Sequence, residues 1–105
     1  MTRAQILSLL KQQQQRADFR AALNIFNAAL RQKGFHHNQA TYAVMIHILG
    51  HAHKFKAMEL LLNRMKQEPF KFRPGVFADV IRVYGRAGMP ELRRKNKKYS
   101  TLLMV

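Results

Sequence analysis

The chain has 105 residues, the length of one domain, and 48% of them are hydrophobic, enough for a core and too many for a wholly disordered chain. Nineteen lysines and arginines against five acids give a formal charge of +14, a field that attracts polyanions, nucleic acid first among them. Cysteine is absent, which excludes disulfides, thiolate metal sites and cysteine nucleophiles, and no apolar run approaches the roughly 18 residues of a membrane span.

In chain order, Ile6, Leu7, Leu9 and Leu10 predict an opening helix. The first seventeen residues carry Arg3, Lys11 and Arg16 with no acid before Asp18, which fits such a helix and is also weakly similar to an organelle transit peptide. Residues 19–33 read as its antiparallel mate, with Leu23, Phe26 and Leu30 inward and Gly34 closing the end. Over 40–50 the apolar residues Tyr42, Met45, Ile46 and Leu49 recur at spacings of three and four, and Thr41 is the expected N-cap. Its partner spans 55–66, with Met58, Leu61, Leu62 and Met65 on one face. Pro69 and the Pro74-Gly75 pair break that helix and open another over 76–86, which Gly88 and Pro90 punctuate. Where a sixth helix would be expected, the basic run 93–98 has no apolar stripe; it reads as a solvated tail, in a fragment of a longer array or a shortened last unit.

Shifting the sequence against itself by 35 pairs Tyr42 with Phe77, Ala43 with Ala78, Ile46 with Ile81 and Gly50 with Gly85. The same shift pairs Ala22 with Ala57, Phe26 with Leu61 and Phe35 with Phe70. A fixed helical period of this size predicts an all-α solenoid of stacked antiparallel helix pairs. The expected units are 1–38, 39–73 and a partial 74–92, followed by the basic tail 93–105, all in one array.

These residues resemble the pentatricopeptide repeat family. The likeness rests on the period, on Ala40-Thr41-Tyr42 opening a helix, on Ala22-Leu23-x-Ile25-Phe26 and Ala57-Met58-x-Leu60-Leu61, and on Tyr84-Gly85-Arg86-Ala87-Gly88. Tetratricopeptide repeats, with a period of about 34 and a tryptophan-bearing signature, fit less well, since Trp is 0. The resemblance implies a right-handed superhelix whose first helices line a concave basic groove for single-stranded RNA, each repeat reading about one base through two or three side chains. Carried onto this sequence, the base-facing positions are Ser8, Asn38, Ala40, Ala43 and Ala78. Ala43 and Ala78 offer no hydrogen bond to a base edge, so contact with the RNA backbone is the expectation that remains.

His47 and His51 stand four apart on one predicted helix, the spacing of two ligands to one metal, but no acid or cysteine lies near them in sequence. The 35-residue shift replaces them with Arg82 and Arg86, so groove lining is the better reading and no metal or other cofactor is expected. His51 and Arg86 are the favoured phosphate contacts. The acids Asp18, Glu59, Glu68, Asp79 and Glu91 are scattered, and no nucleophile, base and orienting acid fall at motif spacing, so no enzyme is expected. The expected function is single-stranded RNA binding in organelle RNA metabolism, with the mitochondrion favoured over the chloroplast. The alternative is a non-catalytic protein-interaction module of a ribonucleoprotein such as the ribosome.

Overall fold

Local signals start four of the five described helices of this protein, in a computed structural model that describes residues 1–87, apart from the side chains of Tyr84, Arg86 and Ala87. Helix α1 (Arg3–Arg16) opens on a reciprocal capping box, in which the Gln5 N–H donates to Thr2 Oγ1 at 3.2 Å and the Thr2 N–H donates to Gln5 Oε1 at 2.8 Å. Helix α2 (Phe19–Leu30) is capped by Asp18, whose Oδ1 accepts from the Ala21 N–H. Helices α3 (Gln39–His51) and α4 (Phe55–Lys66) follow, and α5 (Pro74–Ala87) begins on Pro74, where the missing N–H costs nothing. Gly88, Pro90 and the run 93–98, with the expected boundaries at 92 and 93, lie outside the described residues.

The periodicity set the helices correctly and several of their ends incorrectly. The expected helix over 19–33 stops at Leu30, and Gly34, at φ 77°, lies beyond it in the following turn. The last helix starts two residues before Val76, because proline is at home in a first turn. Thr41 is not the N-cap of α3. Asn38 is, accepting the Thr41 N–H at 3.1 Å, while the buried Thr41 hydroxyl accepts from the Asn38 N–H at 3.0 Å.

The repeat is also not uniform. Thr2 and Asn38, the caps of α1 and α3, are 36 positions apart, as are Asp18 and Lys54, the caps of α2 and α4. From α3 to α5 the offset is 35, with Thr41, Tyr42 and Met45 replaced by Val76, Phe77 and Val80, which are buried as well. The first unit therefore carries one residue more than the shift assumed.

Packing divides the helices into two layers. Helix α1 lies against α2 and α3, and α3 also meets α2, α4 and α5. The first helices α1, α3 and α5 thus stand side by side, with α2 and α4 behind them, and no comparable packing joins α2 to α4 among the described residues. Helix α3 is the hub: Tyr42, Met45, Ile46 and Leu49 are fully buried. Gly50 permits a close crossing, because a Cβ there would collide with both γ-carbons of Val83 on α5.

Candidate nucleic-acid interface

With so much of α3 buried, little of it is left to solvent. Ala40, His47 and His51 are exposed and Ala43 is half-buried, and their spacings of three and four run them as one line along the helix. On the neighbouring first helices Ala78 and Arg82 of α5, and Ser8 and Lys11 of α1, are exposed as well. The offset of 36 changes one equivalence within this set. Leu7, not Ser8, is the α1 counterpart of Ala43, and Ser8 corresponds to Val44. Asn38 has its Oδ1 engaged in the α3 cap, which orients its side chain toward the helix end. The side chain of Arg86 lies outside the described residues.

The fold brings together residues that looked unconnected. His47 Nε2 lies 3.1 Å from Asp79 Oδ2, and Arg82 reaches Asp79 Oδ1 at 3.6 Å. Sequence proximity showed no acid near His47; the stacking of α5 on α3 supplies one from 32 residues away. His47 and Arg82, matched by the 35-residue shift, thus converge on one carboxylate that is only 20% exposed. The acid tethers α5 to α3 and subtracts from the positive charge of the face. Beside this cluster Gln14, Ala17, His47, Ile48, His51 and Ala52 line an open depression of about 400 Å³ between the ends of α1 and α3. Among the described residues no three His, Cys, Asp or Glu side chains group as a metal site.

A buried polar network fixes the start of α3 and hence the line from Ala40 to His51. His37 is 1% exposed and stacks on Phe26, with centroids 3.7 Å apart and rings parallel to 1°. Its Nε2 donates to the Phe26 carbonyl at 3.0 Å, since a carbonyl can only accept, and Nδ1 lies 3.1 Å from the Thr41 hydroxyl. Burial lowers the His37 pKa below its ordinary 6.5, against the opposing pull of the Phe26 carbonyl, and keeps the ring neutral. The ring also meets Tyr42 edge-on at 5.9 Å, as residue N′ meets N4 in a hydrophobic staple. Tyr42 donates its hydroxyl to Glu68 Oε1 at 2.6 Å, and burial together with that carboxylate raises the phenol pKa well above its usual value.

Sequence reasoning passed over His37, although the 35-residue shift held a signal: it pairs His37 with Phe72. Phe72 occupies the same place before α5, edge-on to Phe77 at 6.1 Å and to Tyr42 at 5.3 Å. Gln39 then joins the start of α3 to the segment that leads into α5. It accepts from the Arg73 N–H at 2.7 Å and donates to the Lys71 carbonyl at 3.4 Å.

Helix pairs stacked through their first helices, presenting a narrow polar and basic line, define an α-helical repeat protein of the solenoid class. Over 83 residues, 79% of its length, the chain is 37% identical to a pentatricopeptide repeat-containing protein of Arabidopsis thaliana. It is 39% identical over 71 residues to a second from the same plant and 33% over 69 residues to a third, whose name carries the word mitochondrial. The chain belongs to the pentatricopeptide repeat family. It spans 16%, 14% and 10% of the lengths of these three relatives. No family model matches the chain, and no solved structure does.

Proposed function

We propose that the chain binds single-stranded RNA along the face of α1, α3 and α5, without catalysis, in an organelle. The observation that carries this reading is the line of exposed Ala40, His47 and His51 with half-buried Ala43 on a helix otherwise committed to the core, flanked by Lys11 and Arg82. Small side chains at Ala40, Ala43 and Ala78 leave room for bases to approach, while imidazole, ammonium and guanidinium groups meet phosphate. The alanines supply no hydrogen bonds to base edges, so the affinity expected is largely that of backbone contact and falls steeply with salt. The family is generally one of organellar RNA-binding proteins, and the mitochondrial label of one relative favours that organelle.

The test is a fluorescence-anisotropy titration with short single-stranded RNA of each base and with duplex DNA, at about 50 and 200 mM salt. Preference for single-stranded RNA that persists at the higher salt is expected. Arg82→Ala, His51→Ala and Lys11→Ala should each weaken binding several-fold without changing the helical circular dichroism. Asp79→Asn, which removes the carboxylate between His47 and Arg82, should tighten it. Equal binding to every polyanion that vanishes with salt would refute the groove.

A further inference from the structure

On the opposite side of α3 the two second helices stand apart. Leu23 and Asn27 of α2 form one wall of the gap, Ala57, Leu60, Leu61 and Arg64 of α4 form the other, and Phe26 and the fully buried Leu49 of α3 lie at its floor. The groove encloses about 460 Å³. Leu60, 67% exposed, is the most exposed large hydrophobic side chain among the described residues, and it stands on the rim. A solvated leucine beside an apolar trough marks a surface meant to be covered.

The surroundings of the groove identify what covers it. One helical turn to either side of Leu60 come Lys56, Ala57, Asn63 and Arg64; one turn from Leu23 come Phe19, Arg20, Phe26 and Asn27. None of these is acidic and three are cationic. One further cation, Lys54, sits over the Phe19 ring at 4.7 Å, with the same Arg20 at 5.8 Å, which places positive charge at the end of the same trough. RNA has no aliphatic knobs to match Leu23, Leu60 and Leu61, and a flat bilayer surface does not enter a gap between two helices. A helix laid into the groove does both, with apolar residues at i, i+3, i+4 and i+7 inward and carboxylates along its edges.

We propose that the α2–α4 groove is a docking site for an acidic amphipathic helix of a partner protein, on the side of the array away from the α1, α3 and α5 face. The chain would then hold a protein on one layer and a polyanion on the other. The inference does not depend on RNA binding, because the two surfaces share none of their lining residues.

The test uses the whole chain and three synthetic helical peptides of roughly 18 residues: leucine-striped with glutamate edges, the same stripe with lysine edges, and glutamate edges with the leucines replaced by alanine. Saturable binding of the first alone is expected, weakened about tenfold by Leu60→Glu and several-fold by Lys56→Glu. Leu60 is exposed and Lys56 lies at the surface, so both variants should retain the wild-type circular dichroism and melting curve, and each checks the other. Single-stranded RNA titrated in parallel should bind Leu60→Glu as it binds the wild type, so loss of either activity is read separately. Equal affinity for the leucine-free acidic peptide, indifference to Leu60→Glu, or displacement of the peptide by RNA would each overturn the proposal. So would a dimer that Leu60→Glu dissociates while no peptide binds, since the occupant would then be a second copy.

Discussion

Between α3 and α5 the side chain of Val83 lies so close over Gly50 that no β-carbon fits there, while His47 and Asp79 bridge the same pair of helices. Between α2 and α4 the equivalent space is an apolar trough with an exposed leucine at its edge. Both layers come from one repeated sequence, yet one is closed and the other open. The difference lies at the crossing: a glycine lets the first helices come together, whereas the second helices turn Ala22, Phe26 and Ala29, and Met58, Leu61, Leu62 and Met65, to the core and not to each other. Close packing therefore belongs to the face of the proposed polyanion site, and open space to the face behind it.

Removing the residue both layers share should have the largest effect. Leu49 is fully buried in α3 and floors the trough. Leu49→Ala should cost about 2–5 kcal/mol in urea unfolding, through lost transfer energy and the cavity left behind. A loss below about 1 kcal/mol would mean that the trough collapses around the smaller side chain.

The closed layer is tested by a matched pair. Gly50→Ala puts a methyl group into Val83, a branched residue with little freedom to turn aside, and should cost about 1–3 kcal/mol, or a fall in Tm of several degrees. Gly85 is the same residue one repeat later, and among the described residues nothing lies within 4 Å of a Cβ placed there. Gly85→Ala should therefore be neutral or stabilising by up to about 1 kcal/mol, from helix propensity alone. Equal destabilisation of the two would show that the approach of α5 to α3 is not what Gly50 provides.

That contrast also shows what could be read in advance. The apolar stripes on α3, α4 and α5 are strong enough that 55–66 needed no correction, and the alignment of Gly50 with Gly85 is visible in the sequence. The extra residue of the first unit was not visible, because Ala22 aligns with Ala57 at one offset and with Met58 at the next, and both matches are apolar. Burial decides: Ala22 and Met58 are both fully buried, whereas Ala57 is not. Asn38 and Thr41 are both good capping residues three apart, so either could start the helix until the backbone assigned them N-cap and N3. The approach of Asp79 to His47 depends on how α5 stacks on α3, a relation between helices that no local pattern encodes.

The buried imidazole gives the closed layer a pH dependence. His37 has a folded pKa below its unfolded value of about 6.5, so the unfolded chain binds the extra proton and stability rises with pH across that window. Stability should be fully present above about pH 6.5 and decline as the pH falls toward the folded pKa. His37→Phe, which matches Phe72 in the next unit, should flatten the dependence between pH 7.5 and 5.5. It should also cost about 1 kcal/mol at the upper end, where the Phe26 carbonyl loses its donor. An unchanged slope in the variant would assign the titration to other groups.

The smallest expected effect falls on the open layer and is informative because it is small. Leu60 is two-thirds exposed, so Leu60→Ser removes little buried area and should change stability by no more than about 0.5 kcal/mol. A residue kept apolar for the fold of the isolated chain would cost more. If the measured change stays within that bound while Leu60→Glu weakens peptide docking about tenfold, the leucine serves a partner and not the core. A larger loss would mean that Leu60 closes the trough in solution, and the two layers would then differ less than their packing shows.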